Sequence, residues 1–141
     1  MIVFDSRLGV FIAKEARASY NENTDFCLAR IEGEGELWGG FTFSDYTGRG
    51  GSMMTHVAGF RPRWLNRALL YDAANYAFNH CGCQTLFGQV RETQPKVLAF
   101  DLKLGWKEVH FIKGVFPDGG CHLLAMTRES CKWLPPAKGE G

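Results

Sequence analysis

The spacing of apolar positions divides the chain into four segments. Between residues 6 and 17, Leu8, Phe11, Ile12 and Ala16 recur at helical intervals. They predict a helix with Asp5 or Ser6 as N-cap, although Gly9 inside it weakens the helical propensity. After the polar break at 21–25, three β-favouring runs follow at 26–31, 37–43 and 52–59. Glycine-bearing turns at 33–35 and 45–51 separate them, and links this short imply an antiparallel meander. The longest helix is predicted over 63–80, where Leu65, Ala68, Leu69, Ala73, Tyr76 and Ala77 share one stripe and Gly82 follows the end. A short strand at 85–90 leads to a helix at 94–104, with Thr93 or Gln94 as cap, Pro95 in its first turn and Gly105 as its stop. Strands at 106–115 and 122–127, joined by Pro117-Asp118-Gly119-Gly120, form a closing hairpin. The order predicts an α+β fold, a mixed and mostly antiparallel sheet with helices on its faces.

Composition narrows the classes of function. The 141 residues suit one domain, expected over 1–134, with the Pro- and Gly-bearing piece 135–141 as a flexible tail. Sixteen Lys and Arg against fifteen Asp and Glu leave a net charge of +1, which gives no case for nucleic acid or a membrane surface as partner. No run approaches the roughly 20 apolar residues of a membrane span, and Met1-Ile2-Val3-Phe4-Asp5 lacks the pattern of a signal peptide. Five cysteines at irregular spacing read as free thiols, and a cytoplasmic location is expected. His80-Cys81-Gly82-Cys83 offers half a zinc site, but no second pair lies at finger-like spacing, so no metal is expected.

The most informative stretch is Ala58-Gly59-Phe60-Arg61-Pro62-Arg63-Trp64-Leu65-Asn66-Arg67-Ala68, where a strand ends and the long helix begins. A helix start presents unpaired N–H groups and the positive end of its dipole. Arg61, Arg63 and Arg67 add three charges with no acid before Asp72. Such a junction can cradle phosphate; it can equally be a solvated cluster paired with surface acids.

Two motifs carry a resemblance. Arg63-Trp64-Leu65-Asn66-Arg67-Ala68 resembles the Arg/Gln-x-x-Gly-x-Gly/Ala loop of the GNAT superfamily of N-acetyltransferases, with Asn66 at the first glycine. Asparagine is the non-glycine residue most at ease with positive φ, so the exchange is mild. Gln94 through Trp106, ending in Lys103-Leu104-Gly105-Trp106, is similar to that family's Asn-x-x-Ala…Tyr…Lys-Leu-Gly-Phe helix. Tyr76-Ala77-Phe78 and Cys131-Lys132-Trp133-Leu134 resemble ribosomal-protein N-terminal acetyltransferases and short members encoded by tailed bacteriophages.

The resemblance implies a sheet splayed after its fourth strand, with acetyl-CoA as co-substrate and an amine as acceptor, a small molecule or a protein N-terminus. A homodimer is one assembly compatible with the resemblance. Val57, Ala58 and Gly59 would offer backbone hydrogen bonds to the pantetheine arm and polarise the thioester carbonyl. Arg63, Leu65, Asn66, Arg67 and Ala68 would hold the pyrophosphate, and Thr93 or Gln94 would touch the arm from the far side. Direct attack needs a base for the ammonium and an acid for the leaving thiolate. His56, on the strand near the splay, is one candidate base, or else a cross-strand histidine. Glu92 is another, or else a surface acid beside Arg91. Asp101 stands where many members carry the tyrosine acid. No cation lies three or four residues away on its helix, and the expectation is a solvated, ionised carboxylate that protonates thiolate poorly. Asn66, Gln94 and Asp101 are three departures from the family pattern, which leaves a catalytically inactive scaffold protein, for instance of a phage, as the alternative. Trp38, Phe41, Phe43 and Tyr46 read as core first and acceptor site second.

Overall fold

A computed structural model describes residues 1–134. The expected tail at 135–141 lies outside the described residues. Seven strands form one sheet in the order β1-β2-β3-β4-β5-β7-β6. They are β1 (Ile2–Phe4), β2 (Phe26–Glu32), β3 (Glu36–Ser44), β4 (Ser52–Gly59), β5 (Thr85–Arg91), β6 (Lys107–Phe116) and β7 (Gly119–Thr127). All neighbours run antiparallel except β4 and β5. The helices are α1 (Gly9–Ala16), entered through a 3-10 turn at Ser6–Leu8, α2 (Arg67–Ala74) and α3 (Pro95–Leu104).

The meander, the closing hairpin and all three helices stand where the apolar pattern puts them. Asp5 is the N-cap of the first helical turn and accepts from the Arg7 N–H at 3.0 Å. Gly9 has a tertiary reason, because a Cβ there would run into the Tyr20 ring, whose hydroxyl donates to the Ser6 carbonyl at 2.6 Å. Strand β1 was not predicted: three residues are too short to show a period. It is secured by pairing with β2, and the Met1 ammonium donates to the Ile31 carbonyl.

Two corrections concern the long helix. It begins at Arg67, not Arg63, because Asn66 is extended (φ −124°) and caps it, accepting from the Leu69 N–H at 2.8 Å. The positive φ expected at Asn66 falls instead on Arg63 (φ 62°). Past Ala74 the helix continues as a wider π-helical turn, Asn75–His80. The alternation of β4 separates two cores. Met53 and Val57 face a large cluster with Phe41, Phe43, Leu69, Phe78 and Leu86 under α2. Ala58 faces a smaller one with Ile12, Cys27 and Ala29 under α1. All five cysteines are free, and burial pushes the Cys27 thiol up to about 12.

Candidate active site at the splay

Strands β4 and β5 are joined only at Ser52↔Thr85, Met53↔Leu86 and Met54↔Phe87. Beyond Met54 the ladder stops, and alternate backbone groups of Thr55–Gly59 face a gap instead of a neighbour. The sheet is therefore splayed after its fourth strand. A cavity of about 270 Å3 fills the wedge, lined by Thr55 to Gly59 from β4 and Gly88 to Arg91 from β5. Residues of α1, α2 and α3 all reach it, so it opens toward both faces of the sheet.

Along β4, His56 alternates with Ala58 and so belongs to the α1 face. It lines the cavity there, and burial lowers its pKa against a smaller opposing pull from Asp45. The imidazole is neutral at pH 7 and able to accept a proton. Thr55, one residue earlier, points to the opposite face. It is 5% exposed, lines the cavity, and its Oγ1 has no hydrogen-bond partner within the described residues. A buried hydroxyl left this way costs free energy unless a ligand satisfies it.

Asp101 overturns the expectation of a solvated acid. It is 8% exposed, the one buried residue of α3, and it lines the cavity. Burial alone pushes its carboxyl up to about 6. The neighbours Val97, Leu98 and Leu104, which supply no counter-ion, also place Asp101 on the apolar side of the helix. Glu92 lies elsewhere. Its exposed carboxylate accepts from the Gly120 N–H at 3.3 Å and does not line the cavity.

The loop after β4 is held by contacts that the motif comparison did not reveal. Trp64 lies on Gly39 and Gly59, where a Cβ would come within 2.4 and 1.9 Å of its ring. Arg30 donates to the carbonyls of Arg63 and Trp64, both at 2.9 Å, while its guanidinium stacks on Trp38 at 4.6 Å. Arg61 is paired with Glu36 and is not a free phosphate ligand. Arg63, Arg67 and Ala68 are exposed, and Asn66 caps Leu69, leaving the N–H groups of Arg67 and Ala68 as uncapped first-turn positions. Val57, Ala58, Gly59, Leu65 and Gln94 line the cavity, whereas the Thr93 hydroxyl is turned to Asp118 at 3.3 Å. Gln94 occupies the cap position of α3 without a side-chain cap bond.

A second cavity of about 290 Å3 meets the first at His56 on the α1 face. Asp45, Gln89, Arg17, Arg91 and Phe116 line it. Of the aromatic group, none lines this second cavity, while Phe41 and Phe43 line the first. Phe41 and Phe43 are buried under α2, Trp38 carries Arg30, and the Tyr46 hydroxyl donates to the Cys81 carbonyl. Among the described residues, no three His, Cys, Asp or Glu side chains gather as metal ligands, and no helix is long and apolar enough to cross a membrane.

A splayed mixed sheet, a strand–loop–helix junction after its fourth strand and a facing helix define the GNAT fold, and the chain has that fold. Mutant forms of the spermidine/spermine N-acetyltransferase SpeG from Vibrio cholerae superpose with a TM-score of 0.70 at 13% identity, over 92% of this chain and 96% of theirs. The Vibrio cholerae spermidine N-acetyltransferase in complex with CoA and spermine superposes at 0.64 and 14% identity, over 78% of this chain and 69% of its own. No protein-family model and no curated protein sequence matches the chain.

Proposed function

We propose that the protein is an acyl-CoA-dependent N-acetyltransferase that moves acetyl from acetyl-CoA directly to an amine. One observation carries the reading: neutral His56 on β4 and Asp101 on α3, a carboxyl with raised pKa, line one cavity at the splay. The co-substrate's fit rests on the chain's own polar groups. The unpaired edge of β4 and the orphaned Thr55 hydroxyl face a space of about 270 Å3 that an extended amide-bearing arm would fill. A structural neighbour holds CoA together with spermine, which supports the pairing of CoA with an amine acceptor.

In this reading the acceptor enters on the α1 face and His56 takes its proton. The amine nitrogen attacks the thioester carbonyl carbon, and the oxygen gains charge beside the gap-facing backbone N–H groups of Val57 and Gly59, while that of Ala58, like that of Phe60, is directed at β3. The C–S bond then breaks, the departing thiolate takes a proton from Asp101, and the second proton that the nitrogen sheds on becoming an amide returns to the Asp101 carboxylate. The products are the N-acetyl amide and CoA thiol. Arg63, Arg67 and the first turn of α2 neutralise the pyrophosphate. Leu65, Asn66 and Ala68 shape the loop, and Gln94 closes the arm from α3.

Ligand-linked melting tests the first requirement. At a thousand times its dissociation constant, acetyl-CoA should add about 4 kcal/mol of stability. A folded protein whose melting temperature does not move at millimolar acetyl-CoA would return the chain to the inactive scaffold reading. Where binding is seen, CoA thiol release with amines measures turnover.

A further inference from the structure

The second cavity is polarised along its length. Ser44 pairs with Met54 where β4 and β5 are still joined, so Asp45 stands at the joined end. Arg91 is four residues beyond Phe87, roughly 13 Å along the strand, at the open end. His56 lies between them, two residues beyond Met54.

At the open end, Arg91 and Arg17 converge on one carboxylate, Asp118 at the tip of the β6–β7 hairpin. The distances are 3.0 and 3.7 Å, and the Thr93 hydroxyl donates to the same group. Arg91 is held by Phe116, with its guanidinium 3.9 Å from the ring centroid, so its fork is fixed in advance. Two guanidinium groups share one carboxylate, and one positive charge has no partner among the described residues. Asp118 itself demonstrates that this end holds a carboxylate.

We propose that the cavity takes an acceptor whose reacting amine lies between Asp45 and His56 and whose far end carries a carboxylate for Arg17 and Arg91. This rests on the acetyltransferase reading above. Asp45 attracts the incoming ammonium, and neutral His56 receives its proton. A diamine would bring its second cation to the arginines and be repelled. The acceptor class thus differs from that named for the polyamine-acetylating structural neighbours.

The test is calorimetric titration of the CoA-saturated protein with three amines of one chain length: ε-aminocaproate, hexamethylenediamine and hexylamine. The offset between His56 and Arg91 along the strand direction is two residues, roughly 7 Å, which sets the least length the acceptor must span. ε-Aminocaproate should bind about tenfold more tightly than either of the others, the effect of one charge-assisted pair. Arg17→Glu should abolish that preference, and Asp118→Asn should strengthen it several-fold, with melting curves confirming that both variants fold. The proposal is overturned if the diamine binds as tightly as the amino acid, if none of the three binds, or if Arg17→Glu leaves the order unchanged. Failure of the acetyltransferase reading looks different: no acetyl-CoA binding or no CoA release, while the amino acid preference, measured also without CoA, persists.

Discussion

Asp101 is a carboxyl buried against the cavity with its pKa raised by that burial. A carboxyl with an ordinary pKa is protonated to about one part in a thousand at pH 7, whereas one near 6 is protonated to about one part in ten. Burial therefore leaves the acid of the proposed mechanism a proton to donate near neutrality. It also has a cost in stability. The folded state takes up this proton near pH 6 and the unfolded state near pH 4. The associated stabilisation is present below about pH 4 and lost as pH rises through about 6, for up to about 3 kcal/mol. Asp101→Asn keeps the shape without the titration. It should raise the melting temperature of the ligand-free protein at pH 8, with the gain shrinking toward pH 4, while lowering kcat. The pH profile of kcat/KM gives a second check. His56 has its pKa below the ordinary histidine value, so its protonation limb lies on the acid side of pH 6.5, and loss of the Asp101 proton sets the other limb near 6. A bell with its alkaline limb near pH 6 is expected, with Asp101→Asn removing that limb and His56→Ala the acid limb. Most of this was legible in the sequence. The spacing of Val97, Leu98 and Leu104 around Asp101 shows both the missing counter-ion and the apolar stripe that buries the carboxyl.

The loop between β4 and α2 shows what pattern reading leaves out. The Arg63–Ala68 motif located the junction, and the apolar stripe located the helix, but neither marked its start. Asn66 serves as a cap because its short side chain reaches the Leu69 N–H, and a residue in that role does not need positive φ. The loop's shape depends on residues distant in sequence: Gly39 and Gly59, which admit Trp64, and Arg30, which spans two carbonyls from β2. No local rule relates a glycine in β3 to a tryptophan twenty-five residues later. The dependence is testable with Gly59→Ala, whose methyl group would overlap the Trp64 ring. Overpacking of this kind typically costs about 1–3 kcal/mol. Displaced Trp64 should also shift the loop, so CoA affinity, measured by titration at a temperature where the variant is folded, should fall by more than the stability loss explains. Arg30→Lys should weaken CoA binding with less effect on melting, because one ammonium cannot donate to both carbonyls as Nη1 does while Nε holds Glu32 and the guanidinium plane lies on Trp38.

Over the whole molecule, element order was readable because each turn signal and each change of period is local, and the meander and hairpin follow from short links. The splay was not readable that way. It is a property of two strands separated by an intervening helix, and it entered through resemblance alone. Its physical meaning is that the sheet has an interior edge: Thr55–Gly59 bonds to β3 on one side and, beyond Met54, to nothing from β5 on the other. An unpaired edge inside a protein is ordinarily a liability, since each buried unmet backbone group costs free energy. Here the edge is bordered by a cavity, by an orphaned hydroxyl and by a helix whose one buried residue is an acid. These features are consistent if a ligand completes the sheet by lying along β4. Hydrogen exchange can decide it. In the free protein, gap-facing amides of Thr55–Gly59 should exchange faster than those of β2 and β3, which are paired within the meander. Saturating acetyl-CoA should slow exchange in Thr55–Gly59 and in the first turn of α2 while leaving the β6–β7 hairpin unchanged. Uniform slowing across all seven strands would mean that binding only stabilises the fold as a whole, and the interior edge would then need another explanation.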